Sequence, residues 1–185
     1  MSKEEEDKVD LKDLKHLANS PMSNTDIHKR LGGRTKILMY DEFNKYSDLE
    51  EVLKPWDNVV FLLRTEEDFG HWMCIKKCWN RISFFDSYGD FPDVQKKYVE
   101  KKFLEKSNQK YNKLCELLYN ASFKYTIEYS QYKLQKKSED ISTCGQWCCL
   151  FIESGLLVDD FKTYIDSFKE QNKDYLCVKL FYELI

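Results

Sequence analysis

Glycine and proline are scarce in this chain of 185 residues, six and three respectively, and nowhere do they gather with serine into a linker-like stretch. That scarcity argues against division into independent units, and the length suits one globular unit with a sizeable core. No apolar run approaches the ~20 residues needed to span a bilayer, so no membrane association is expected. An excess of one charge is missing too. The formal net charge is −3 and the pI about 5.7, which gives no general electrostatic pull toward nucleic acid. The charged N-terminus carries no secretory pattern, and the seven cysteines, an odd number, read as free thiols in a reducing compartment rather than as a disulfide framework. No internal repeat is visible.

Residues 1–20 are dominated by charge and read as a solvated N-terminal extension. Their apolar positions Val9, Leu11, Leu14 and Leu17 allow a frayed or peripheral helix. Residues 21–185 are expected to form one domain. Within it, Ser23 to Leu31 predicts a short capped helix stopped by Gly32-Gly33, and Lys36 to Tyr40 a short strand. Ser47 to Leu53 predicts a capped helical turn closed by Pro55, and Asn58 to Arg64 a buried strand. From Asp93 to Asn120 the spacing predicts one or two outer amphipathic helices in which no chemistry is visible. Phe123 to Tyr129 alternates like a strand, and the segments Phe161 to Ile165 and Leu176 to Ile185 complete the core.

Two stretches carry more. The first is Ser142-Thr143-Cys144, which runs directly into Gly145-Gln146-Trp147-Cys148-Cys149-Leu150-Phe151-Ile152. Apolar residues fall on nearly every face from Trp147 to Leu157, leaving Gln146 and Glu153 as a narrow polar stripe. This pattern predicts a buried helix with Cys144 at its mouth and Ser142 or Thr143 as its cap. A thiol in that position meets the positive end of the helix dipole, which favours the thiolate, the form that attacks. Taken alone, an inert buried cysteine is the commoner reading.

The second stretch is the pair of segments Gly70 to Lys77 and Arg81 to Gly89, which flank Cys78-Trp79-Asn80 as a hairpin. With a two-residue loop, the numbers of opposed residues add to an odd constant. His71 and Asp86 therefore share a face, together with Met73, Ile75, Ile82 and Phe84, and that apolar face is expected to meet the core. An imidazole and a carboxylate thus come to one end of a sheet face. With a thiolate they complete what nucleophilic cysteine catalysis requires.

Gly70-His71-Trp72, Phe85-Asp86-Ser87-Tyr88-Gly89 and Thr143-Cys144-Gly145-Gln146-Trp147-Cys148-Cys149, in that order, resemble the adenovirus-protease and SUMO-protease clan of cysteine peptidases. The likeness is greatest to the maturation proteases of virophages, polinton-type elements and large DNA viruses, over roughly residues 23 to 155. It implies an α+β fold with a central buried helix carrying the nucleophile, packed against a mainly antiparallel sheet. This is an adenain- and papain-like arrangement with permuted catalytic order. By the resemblance, Cys144 is the nucleophile, His71 the general base, Asp86 its orienting partner, and an upstream glutamine the oxyanion donor. The spacing in viral members favours Gln135 over Gln131 for that last role. Trp72 would wall the substrate cleft, pack in the core, or do both.

The resemblance also implies a monomeric endopeptidase without metal or cofactor that cleaves capsid or other virion precursor proteins, at sites with glycine near the scissile bond. It would work in the virion and in the virus factory of the host-cell cytoplasm. By the resemblance, DNA or a peptide would serve as an activator, as for the adenovirus relative. The Lys96-Lys97, Lys101-Lys102 and Lys136-Lys137 pairs read as solvated surface that would permit DNA contact. Competing readings are a peptidase that removes SUMO- or ubiquitin-type modifiers, and an acetyltransferase of the same clan. From other classes come a zinc module on Cys74, Cys78, Cys144 and Cys148, and a catalytically dead capsid-binding protein.

Overall fold

The computed structural model describes residues 10–184. The strands are β1 (Lys36–Met39), β2 (Asn58–Arg64), β3 (Gly70–Cys78), β4 (Arg81–Phe85) and β5 (Thr126–Tyr129), lying side by side in chain order as one five-stranded sheet. The connection between β2 and β3 and the Trp79-Asn80 turn between β3 and β4 are short, and such links force antiparallel pairing. The two outer connections are long. The first carries α3 (Leu49–Leu53) and the second α4 (Lys101–Lys106) and α5 (Lys113–Ala121), so β1 and β5 return parallel to β2 and β4. The sheet is therefore mixed, not mainly antiparallel. The alternation that reveals a strand does not reveal its direction; only the crossover does.

The β3–β4 register pairs Cys74 with Phe85 and Cys78 with Arg81. It keeps His71, Met73, Ile75, Ile82 and Phe84 on one face, and that face packs on α3, α5 and a 3-10 turn at Tyr40–Lys45 through Phe43, Val52, Leu114 and Leu117. The alternate residues Trp72, Cys74 and Phe85 meet the other layer. It comprises α2 (Asn24–Arg30), α6 (Cys144–Ser154), α7 (Val158–Asp166) and α8 (Lys173–Phe181). Phe85 stacks on Phe151 at 4.6 Å between centroids, and Phe161 meets both edge-on. Each such fully buried ring contributes about 1.5–3 kcal/mol by removal from water. The Cys144 helix and the His71 face thus lie on opposite sides of the sheet.

Helix α1 (Leu11–Ala18) covers the end of α8 through Leu14, Ala18 and Val178. Val9 lies outside the described residues. Three local expectations need correction. Gln146 is fully buried and its Nε2 reaches Leu17 O at 3.5 Å, so it does not form a polar stripe with the exposed Glu153. Lys96 is 6% exposed rather than solvated. Its ammonium is 3.2 Å from Asp93 and bonds Tyr40 Oη and Tyr111 O, so of that pair only Lys97 faces solvent. The third concerns the cap of α6 and belongs to the site itself.

Candidate active site

Strand β4 stops opposite Cys74, so the first residues of β3 run on with β2 on one side and no β4 partner on the other. Into that gap come the 86–88 loop and the tip of α6. The gap explains how Cys144 meets His71 although α6 covers the opposite face. Gly70 is required at the entrance, since a Cβ there would lie 2.4 Å from Leu63 O.

His71 Nε2 is 2.7 Å from Asp86 Oδ1. With Nε2 engaged by Asp86, Nδ1 is the nitrogen left over, and Cys144 lines the same groove and adds to the pull on the ring's proton. Asp86 is wholly buried and fully engaged. Its Oδ1 also accepts from Tyr88 N at 2.8 Å, and its Oδ2 accepts from Gln95 Nε2 at 3.2 Å. Its backbone is clamped through Ser130 Oγ, which accepts from Asp86 N at 2.9 Å and donates to Asp86 O at 3.0 Å. Burial opposes a charge on His71, but the Asp86 carboxylate and then Cys144 outweigh it, and the imidazole pKa is pushed up to about 10. The arrangement therefore favours an imidazolium beside the sulfur.

Gln135 lies in the same place. It is 3% exposed, and its Oε1 accepts from Ser87 Oγ at 2.7 Å while Nε2 has only 3.4 Å contacts to Tyr88 Oη and Ile141 O. The amide is oriented by a short bond on its oxygen, leaving its nitrogen weakly engaged and available to an incoming oxygen. Gln131 is exposed and does not line the groove. Trp72 is 4% exposed. Its Nε1 donates to Met22 O at 3.0 Å, so it is packed in the core and still borders the groove. Gly145 is squeezed against these two, since a Cβ would fall 2.9 Å from Met22 Cβ and 3.3 Å from Trp72 Cδ1.

The expected cap is absent. Thr143 precedes α6 without a side-chain bond to its amides, because its hydroxyl donates to Asp174 instead. A groove of about 530 Å³ is bordered by His71, Trp72, Tyr88, Gln135 and Cys144, with Met22 and the exposed Phe69 and Tyr98 further out. A larger hollow of about 770 Å³ between α7 and α8 holds Lys169, Glu170 and Lys179 but no nucleophile. Among the described residues no three His, Cys, Asp or Glu side chains gather as metal ligands.

Sequence reasoning missed Gln95 and Tyr88. Gln95 stands in a segment with no visible chemistry, on a 3-10 turn at Val94–Tyr98, and nothing in its spacing announces a reach to Asp86. Tyr88 stacks on the His71 ring. Its nearness to Asp86 in sequence was the one available signal.

No family model matches the chain. It is 37% identical over 159 residues, 85% of its own length and 90% of the relative's, to the uncharacterized protein V9 of Sputnik virophage. Among solved structures, a protease of ASFV is similar with a TM-score of 0.43 at 15% identity, covering 85% of this chain. The chain spans 65% of the length of that protease. The SUMO protease Ulp1 is similar with a TM-score of 0.41 at 12% identity, covering 95% of this chain and 84% of its own. ChlaDub1 from Chlamydia trachomatis is similar with a TM-score of 0.40 at 16% identity, covering 94% and 76%.

Proposed function

Because the chain belongs to the family of the Sputnik virophage protein V9, and because His71 lies between the Asp86 carboxylate and the Cys144 thiol in one groove, we propose that it is a cysteine endopeptidase acting on virion precursor proteins. The observation that carries the reading is the placement of that imidazole, bonded through Nε2 to a buried acid and lining one groove with a helix-tip thiol.

In this mechanism the Cys144 thiolate, paired with the His71 imidazolium, attacks a peptide carbonyl carbon. An S–C bond forms and the carbonyl oxygen takes the negative charge. In this proposal Gln135 Nε2 and the Cys144 backbone amide receive that oxygen. As the intermediate collapses the C–N bond breaks, and His71 gives its proton to the departing amine. Water, deprotonated by His71, then cleaves the thioester and frees the carboxylate product. Asp86 keeps the ring in the required tautomer throughout. Cys144 is 8% and His71 6% exposed, so only a slender main chain reaches the sulfur, which favours glycine beside the scissile bond. That the relative comes from a virophage is the ground for proposing a capsid or other virion precursor as substrate and the assembling particle and host-cell virus factory as the place of action.

The test is co-expression of the chain with candidate virophage capsid precursors, beside a Gly-Gly-ended ubiquitin-like conjugate. Wild type is expected to cleave the precursor and Cys144→Ala to leave it whole. Full processing by Cys144→Ala would sink the proposal, and cleavage of the conjugate alone would replace it with the modifier-removing reading.

A further inference from the structure

Asp174, in the first turn of α8, is 4% exposed and hydrogen-bonds neither His71 nor Asp86. Its Oδ1 accepts from Thr143 Oγ1 at 2.6 Å and its Oδ2 from Lys136 N at 3.0 Å. Thr143 is the residue before Cys144, and Lys136 is the residue after Gln135. A single carboxylate therefore ties together the residues beside the two groups that would bind the oxyanion, through a side chain on one and the backbone of the other.

Three features set this contact apart from ordinary packing. Asp174 is not needed to cap its own helix, because Asn172 Oδ1 accepts from Asp174 N at 3.1 Å and Tyr175 N at 3.3 Å. Both partners of Asp174 donate, so the ionised carboxylate is the form that suits them, in a buried place where a charge is costly unless it is used. Burial raises its pKa, while the bonds from Thr143 and Lys136 act against that rise. Finally, the Thr143 hydroxyl spent on Asp174 is withheld from α6, whose first amides carry no side-chain cap and are left for a bound anion.

On the peptidase reading, on which this rests, we infer that Asp174 is a positioning residue. It holds the Gln135 segment and the Cys144 segment at a fixed separation, and so sets the geometry of the oxyanion hole from a helix that contributes nothing else to the site.

Two reagents separate this role from a general one when applied to the full chain. Iodoacetamide alkylates a thiolate without forming an oxyanion. With p-nitrophenyl acetate the Cys144 sulfur bonds to the acyl carbon through an oxyanion, the C–O bond breaks and p-nitrophenolate leaves. Asp174→Ala is expected to slow the Cys144-dependent p-nitrophenolate burst about 10-fold or more while Cys144 alkylation changes by less than about twofold. Asp174→Asn is expected to restore most of the burst, since its Oδ1 can accept from Lys136 N and its Nδ2 can donate to Thr143 Oγ1. Thr143→Val preserves volume, breaks one tie, and should reproduce the split. Equal slowing with both reagents, no slowing, no rescue by Asn, or loss of native circular dichroism in both Asp174→Ala and Thr143→Val overturns the role of Asp174. A wild-type protein without a Cys144-dependent burst overturns the peptidase reading, and the inference falls with it.

Discussion

The Tyr88 ring lies flat on the His71 imidazole, with centroids 4.2 Å apart and planes 12° from parallel. It closes one face of the ring to water and presents a π cloud to the imidazolium. Lys137, 4.9 Å from the Tyr88 centroid and ion-paired to Asp90 at 2.8 Å, extends the same cluster toward solvent. Such a stacked cation contributes on the order of 1 kcal/mol. Tyr88→Ala should therefore lower the His71 pKa by somewhat less than about one unit, and Tyr88→Phe should leave it in place. NMR titration of the His71 ring decides the matter; an unmoved value in Tyr88→Ala would rule out an electrostatic role for the stack.

The His71–Asp86 pair also makes stability depend on pH. Burial pulls the imidazole pKa down, but Asp86 and Cys144 raise it from the ordinary 6.5 to about 10. Between those values the folded chain keeps a proton that the unfolded chain releases. The pair's stabilisation is thus complete below about pH 6.5 and is lost as pH rises through about 10. Urea unfolding of wild type and Asp86→Asn across this window should show a downward slope in the former that is flattened in the latter. Parallel curves would contradict the assignment.

Gln135 and Gln131 make a direct contrast, one in the groove and one exposed outside it. Gln135→Ala is expected to lower kcat for precursor cleavage about 100-fold to 1000-fold with little change in KM, the signature of a donor used only in the transition state. Gln131→Ala should match wild type. Reversal of the two results would transfer the role to Gln131.

Lys76 reaches from β3 to the far end of the helix that begins at Cys144. Its Nζ donates to Phe151 O at 2.8 Å and Leu156 O at 2.6 Å, and it stands 4.0 Å over the Phe151 ring. The strand that bears His71 thereby also grips the C-terminus of the helix that bears Cys144. Lys76→Met leaves two carbonyls without their donor and should cost about 2–4 kcal/mol. A fall in the denaturation midpoint at unchanged m-value would register that loss, and an unchanged midpoint would show the contact to be dispensable.

Much of this site is readable from the chain because its signals are local. Alternation and a two-residue turn are enough to put His71 and Asp86 on one face, and the paired register of Cys74 with Phe85 preserves that parity. The apolar run after Cys144 is enough to predict a buried helix, and α6 begins at that residue. The parts that escape are those where a side chain's partner is remote in sequence. Thr143 looks like a cap for its own helix, but Asp174 takes its hydroxyl. Lys96 looks solvated, but Tyr40, Asp93 and Tyr111 enclose it. Gln95 looks like one residue of an amphipathic surface, but the second connection folds back and delivers it to Asp86.

By itself, then, the sequence determined the elements, the residue types able to do the chemistry, and the shared face of histidine and acid, because period and turn length act over a few residues. The tertiary structure alone decided that β1 and β5 run parallel to their neighbours and that α6 covers the face away from His71. It alone opened the end of β3, where β4 stops, as the place where Cys144 reaches the ring. Those outcomes depend on where long connections return and on which buried donors find which acceptors, and no local spacing encodes either.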